Sequence, residues 1–227
     1  MYQRAYIYFS LATLVAFLGF FPSYFSRLGS TDAAHHFHGI MASAWMLMLV
    51  LQAWLMRKKK MVLHRSIGKL SIVIAPLFWV SGLLVMHVML ASDSPFSKVF
   101  GKRLAFLDLT TVLYFAFAYI AAIYYRSNVQ LHARFMASTA ILVLPPALAR
   151  FLGNYVPGVS SFEMGVHGSY LISELIVVLL LLDDKRLGRI RLPYVGLLLL
   201  LLVQHLGFMS MHHVEAWVQW CNWFAAL

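Results

Sequence analysis

The chain is poor in charge and poorer still in acid: 8 Asp and Glu against 18 Lys and Arg in 227 residues, with charged residues 11% in all. Ordinary soluble domains carry about 25% charged residues, so this deficit leaves no segment polar enough for a water-soluble domain. There is one cysteine, Cys221, which excludes an internal disulfide and any zinc or iron–sulfur site built on thiolates. No small-x-small cleavage pattern follows the apolar start at Ala5, so the first hydrophobic stretch reads as a retained span rather than a leader. What the chain has instead is hydrocarbon. Hydrophobic residues make up 62%, and mean hydropathy is +0.78. In such a chain the net charge of +10 points away from nucleic acid and toward basic loops that face anionic lipid headgroups.

A bilayer core of roughly 30 Å takes about 20 apolar residues per helix. Seven segments meet that length: 5–26, 36–56, 67–90, 104–125, 134–152, 164–182 and 193–213. The expected fold is therefore all-α, a single seven-helix transmembrane bundle over residues 1–227. The tail, 215–225, is too short to cross. Its tryptophans (Trp217, Trp220, Trp223) recur at helical spacing, which suits a helix lying in the membrane interface.

Thirteen basic residues fall on one side of this plan: Arg4, the run Arg57 to Lys60, Arg65, Lys69, Arg126, Arg134, and four between Lys185 and Arg191. Five fall on the other: Arg27, Lys98, Lys102, Arg103 and Arg150. The positive-inside rule then places the N-terminus in the cytoplasm and the C-terminus outside. A faint repeat is also present. "RKKKMVLHRSIGKLSIVIAP" leads into the third span and "RSNVQLHARFMASTAILVLP" into the fifth, each passing through Leu-His to an apolar run that holds a proline (Pro76; Pro145 with Pro146). Helices 2–3 and 4–5 read as related hairpins.

Ten histidines sit in this apolar chain, three of them in the four residues "HHFH". Counting at ~1.5 Å per residue sorts the polar groups by depth. His64 and His132 each begin a helix at the inner surface, with Arg65 and Arg134 close by, and Gln52 lies a turn above them. Glu174, Gln204 and His205 fall near mid-depth. His36, His38, His87, Asp108, Arg150, His167, His212 and His213 form an outer layer.

The inner pair suits a haem, which takes two axial imidazoles from facing helices and basic partners for its propionates. Its cofactor-binding residues would be His64, His132, Arg65 and Arg134, with His38 and His167 as an outer pair. The alternatives at the inner surface are ordinary interfacial histidines, or helix N-termini and cations that hold a lipid phosphate. In the outer layer, His36, His38, His167 and His212 are candidate ligands for iron, copper or zinc. His36 and His38 point roughly 200° apart on a regular helix and cannot serve one ion there. His38 shares its side with Met41, Trp45 and Gln52, which faces it inward and leaves His35 in water.

Glu174 is the candidate catalytic group. A charged carboxylate facing lipid near mid-bilayer costs at least ~2.5 kcal/mol, so it is expected to face the interior, on the side of its helix that also carries His167. Asp108 and Arg150 fall at similar depth on consecutive spans and are expected to form a buried ion pair.

The pattern His36-x-His38-Gly39, Trp45 and Gln52 on the second helix, His64-Arg65-x-x-Gly68, and His132-x-Arg134 before a helix ending at Arg150 resembles a widespread family of uncharacterised bacterial seven-helix inner-membrane proteins. Glu174 and Asp184 fit the family's pair of acids ten residues apart. The resemblance covers residues 36–190 and implies the seven-helix fold without an activity. The hairpin plan is also distantly similar to ascorbate-dependent cytochrome b reductases. Membrane di-iron hydroxylases need HxxHH boxes that "HHFH" and "MHH" do not supply. Zinc hydrolases of the ceramidase and adiponectin-receptor type carry HxxxH in the last helix, where His205 and His212 here lie seven apart.

Three functions are expected from this reading. The first is a haem-b protein passing electrons between a quinone or small reductant and a redox partner. The second is a metal-dependent membrane enzyme using the outer histidines and Glu174. The third is a cofactor-free transporter or accessory subunit whose histidines and carboxylates relay protons or serve packing.

Overall fold

The computed structural model describes residues 4–227. Ten α-helices account for most of them, and no strand occurs among the described residues. They are α1 (Ala5–Phe20), α2 (Ala33–Arg57), α3 (Met61–Gly68), α4 (Ser71–Ala91), α5 (Pro95–Tyr124), α6 (Val129–Leu142), α7 (Leu144–Tyr155), α8 (Phe162–Arg186), α9 (Leu192–Ser210) and α10 (Glu215–Ala225). Six segments are long and apolar enough to cross a membrane: α2, α4, α5, the continuous pair α6–α7, α8 and α9. Their outer surfaces carry rows of bare aliphatics, such as Leu171, Leu175, Leu179 and Leu182 on α8. A water-facing protein would not tolerate so much contiguous apolar surface. By length and composition this is a multi-pass membrane protein.

Local chemistry explains where the helices depart from the expected spans. The first span, expected over 5–26, is helical only to Phe20; Pro22 follows, and Phe25–Ser30 winds as a 3-10 turn. At 16 residues α1 is about 24 Å long, shorter than a bilayer core. By contrast α5 begins nine residues before the expected start at 104. Ser94 accepts from the Ser97 amide at 3.1 Å and Pro95 sits in the first turn, a strong start signal. The expected third span, 67–90, divides into the short α3 and the long α4, which contains Pro76. The fifth breaks at Val143, where Pro145 and Pro146 lack the amides a continuous helix needs. Gly188 (φ 90°) ends α8 in the left-handed conformation that glycine adopts without strain.

Around the bundle the helices pack in the order α1, α2, α4, α5, α9, α8, α7 and back to α1. The α6 half of the kinked span turns inward against α5 and α9, which makes that span the most buried of the six. Backbones approach closely where small residues allow it. A Cβ on Gly19 of α1 would meet the Ala147 carbonyl of α7, and one on Gly165 of α8 would meet the Ala149 carbonyl. At mid-depth an aromatic cluster fills the interior. Trp45 is fully buried, edge-on to Phe115 (5.1 Å) and Tyr119 (5.7 Å), and donates to Thr139 Oγ1 at 3.3 Å, while Phe78 packs on Phe115 at 5.1 Å. This cluster separates the polar groups into two layers. One lies toward the basic face, which carries Arg57 to Lys60 and Lys185 to Arg191. The other lies toward the tryptophan face, where α10 packs on α4 and α5 with Trp217 buried and donating to the Lys102 carbonyl at 2.8 Å.

Candidate functional site

Toward the tryptophan face, three side chains form one hydrogen-bonded string. Glu174 and His167 lie two turns apart on the same side of α8, and His205 of α9 stands between them. His205 Nδ1 donates to Glu174 Oε1 at 3.0 Å, and His205 Nε2 lies 2.9 Å from His167 Nδ1. With Glu174 ionised, one tautomer set satisfies both bonds: each imidazole gives its Nδ1 hydrogen, and His205 accepts at Nε2. His167 Nε2 is then left as the free lone pair of the string.

His205 is held from two sides. The Tyr170 ring stacks on it (5.3 Å between centroids, 27° between planes), and the Tyr170 hydroxyl donates to Gln204 Oε1 at 3.4 Å. Gln204 is itself fully buried, its amide nitrogen facing Thr110 Oγ1 at 3.0 Å and Thr111 Oγ1 at 2.9 Å. Only about an eighth of Glu174 and a sixth of His205 is exposed (13% and 16%). A carboxylate shielded to this degree keeps a strong interaction with its imidazole partner.

Above His167 the string meets charged groups. Arg103 of α5 pairs with Glu163 in the first turn of α8, lies 4.1 Å over the Phe208 ring and donates to the Phe208 carbonyl at 2.8 Å. His212 packs tilted against His213, ring centroids 3.8 Å apart, and its buried Nδ1 has no hydrogen-bond partner. Below Glu174, α8 and α9 are sealed by Val177, Leu197 and Leu201, all fully buried. The string is therefore open at one end only.

The other outer groups serve elsewhere. His38 turns inward and bonds Ser81 Oγ at 3.1 Å. His36 bonds the Tyr24 hydroxyl (3.3 Å) and lies 3.0 Å from the Leu28 carbonyl, while His35 is half-exposed beside Asp32. His36, His38, His167 and His212 thus each have their own surroundings. Among the described residues no three His, Cys, Asp or Glu side chains converge on a point a metal ion could occupy. Asp108 and Arg150, expected to form an ion pair, are not in direct contact, but they lie close enough to act on each other's charge. Arg150 instead donates to the Pro146 carbonyl at 3.1 Å and stacks on Phe20 at 4.6 Å.

Toward the basic face, His64 and His132 do meet, with ring centroids 6.5 Å apart and planes at 87°. His132 Nδ1 donates to the Ala122 carbonyl at 2.8 Å, which leaves Nε2 a free lone pair. His64 is set the other way by Gln52. With the Gln52 nitrogen facing His64, it donates to Nδ1 at 2.5 Å and to the His64 carbonyl at 3.1 Å, while its oxygen accepts from the Gly68 amide at 3.0 Å. The opposite orientation would set oxygen on oxygen and N–H on N–H. Nδ1 of His64 is therefore the acceptor, and Nε2 carries the hydrogen.

A haem between these rings would need a lone pair on both, each steadied by an N–H bond at the other nitrogen. His132 meets that requirement as it stands, and His64 meets it only with the Gln52 oxygen turned to its Nδ1. Arg134 is not free for a propionate either: it is fully buried, held by fully buried Asp184 (Nε to Oδ2 2.9 Å) and by Gln130 Oε1 at 2.7 Å. Arg65 is exposed on α3. The outer pair is not assembled either, because α2, which carries His38, packs on α1 and α4, whereas α8, which carries His167, packs on α7 and α9.

Burial, with the His132 ring nearby, holds the His64 imidazole below its usual range. The folded protein binds this proton less readily than the unfolded chain does. The stability His64 contributes is thus full above the ordinary imidazole pKa of about 6.5 and is lost as pH falls through and below it. Thermal unfolding from about pH 7 to about pH 5 should show a falling midpoint, and His64→Gln should flatten that slope. An unchanged slope in the variant would assign the effect to other groups.

Sequence reasoning places His205 at the depth of Glu174 without giving it a role, although "LLLLLLVQHLGF" offers a signal: Gln204 and His205 are the only polar pair in an otherwise unbroken apolar run. Comparison with known proteins leaves the geometry to stand by itself, since no family model, curated protein or solved structure matches the chain.

Proposed function

We propose that this protein is a proton-coupled membrane carrier, with Glu174 as the proton-binding group and His205 and His167 as its connection to the tryptophan face. The single observation that carries this reading is the string Glu174–His205–His167, with both bonds at about 3 Å and only one open end. A proton arriving at His167 Nε2 displaces the Nδ1 hydrogen onto His205 Nε2, and the His205 Nδ1 hydrogen moves to Glu174 Oε1. One proton has then moved inward, and the carboxylate is neutral. The apolar seal below Glu174 gives that proton no onward path in this conformation, which supports a carrier that changes shape rather than a channel.

The same reading takes α1 as a seventh, short span and the basic face as cytoplasmic, since Arg57 to Lys60 and Lys185 to Arg191 gather there. The membrane is then a bacterial inner membrane, the tryptophan face is outside, and α10 lies in the outer interface.

Proteoliposomes on a solid-supported membrane test the reading. A pH jump should give a transient charge displacement, as protons enter the string, without a sustained current. A steady current would mean a channel, and no transient above protein-free vesicles would remove the reading.

A further inference from the structure

In the outer half of the bundle, side chains from three helices act on one another without a bond between them. Asp108 of α5 and Arg150 of α7 feel each other's charge, and Arg150 acts also on His38 of α2. Asp108 lies on the inner side of α5, with buried Ala105, Val112 and Phe115 and opposite exposed Leu113 and Phe117. Its carboxylate makes no hydrogen bond. Arg150 lays the face of its guanidinium on Phe20 and gives Nη1 to the Pro146 carbonyl, so the edge formed by Nε and Nη2 is unused. His38 gives its Nδ1 hydrogen to Ser81 Oγ, because the Ser81 hydrogen already goes to the Phe78 carbonyl at 2.7 Å. Nε2 of His38 is then a free lone pair. Among the described residues, the only unbonded side-chain nitrogens or oxygens sealed from solvent are Trp79 Nε1 and His212 Nδ1. The Asp108 carboxylate, His38 Nε2 and the free edge of Arg150 therefore face open space.

We propose that this space binds a small amino-acid zwitterion, its ammonium toward Asp108 and His38 and its carboxylate on Arg150. Opposite charges held apart inside a low-dielectric bundle are complementary to a molecule that carries both. The side-on edge of an arginine matches the two oxygens of a carboxylate. An ammonium has three hydrogens to give and accepts none, which suits a carboxylate and a neutral imidazole lone pair. A lone carboxylate would meet the like charge of Asp108, and a lone amine would meet Arg150. The His38 ring lies 5.5 Å from Phe78, which packs on Phe115 in the aromatic cluster, so the floor of the space is apolar. Tyr170, whose ring holds His205, is near enough to feel both Asp108 and Glu174, which sets the space beside the proton string. The site names the solute of the carrier proposed above and rests on that reading for what binding leads to.

The test uses full-length protein in detergent at fixed pH and ionic strength, with thermal unfolding followed against glycine, β-alanine and γ-aminobutyrate. These hold the two charges at increasing separations, whereas propionate and propylamine carry one charge each. At least one zwitterion should raise the midpoint in a saturable way, with about tenfold or more higher affinity than either single-ended probe. Asp108→Asn should weaken that affinity about tenfold or more, and His38→Phe about threefold. Phenylalanine keeps a ring against Phe78 and has no lone pair, so a folding defect in the Asp108 variant leaves the test standing. No saturable shift with any zwitterion, equal affinity for a single-ended probe, or affinity unchanged in both variants would overturn the proposal. Saturable zwitterion binding without a pH-jump transient would discard the carrier and keep the site, whereas a transient without such binding would discard only the site.

Discussion

Asp184→Asn is expected to destabilise the protein by about 3–5 kcal/mol, the cost of leaving a buried charge without its partner. Arg134 and Asp184 are both wholly shielded from solvent, and the guanidinium is held by two carboxylate oxygens and by Gln130. Asparagine keeps the shape but leaves the guanidinium uncompensated, since Arg191, the other charged group near Asp184 at 3.9 Å, is also a cation. The double variant Arg134→Met/Asp184→Leu should recover most of the loss, because two apolar side chains of similar volume carry no desolvation penalty. Unfolding in mixed micelles, titrated with SDS, would measure both. If the double variant is as unstable as the single one, the pair acts through shape rather than charge.

The second large effect belongs to Glu174. Glu174→Gln should reduce the pH-jump transient at least tenfold while leaving the unfolding midpoint close to wild type. The amide oxygen still accepts from His205 Nδ1, so the 3.0 Å contact and the position of His205 survive. What disappears is the group that takes the proton. His205→Gln should have a similar effect on the transient, because it cuts the string between His167 and the carboxylate. A Glu174→Gln protein with an undiminished transient would place the proton-binding group elsewhere.

Much of this was legible in the sequence. The apolar runs marked α2, α4, α5, α8 and α9 because a bilayer fixes helix length, and the spacing of His38, Trp45 and Gln52 indicated one face because helix geometry fixes direction. Glu174 and His167 were readable as a pair on one side of α8 for the same reason. What depends on contacts between distant segments was not readable. His205 joins Glu174 across 31 residues and Arg134 joins Asp184 across 50, and no periodicity encodes such pairings. Gln52 shows the limit most clearly. Its depth was evident, but its effect on the tautomer of His64 depends on a hydrogen bond to an amide at Gly68, in a turn that breaks the expected third span. Arg150 was readable as needing a counter-charge, and Asp108 supplies it at a distance rather than in a direct contact.

The short first helix bears on how the chain assembles. α1 is too brief to be held firmly by lipid alone, and it settles where Gly19 lets it lie against Ala147. Asn154 and Tyr155 then reach back to the carbonyls of Gly19 and Leu18, at 3.3 Å each, across 135 and 137 residues. During synthesis its docking surface on α7 emerges only after three later spans and the α6 half of a fourth have been made. α1 is made before α7 and yet completes its packing only when α7 arrives to close the ring.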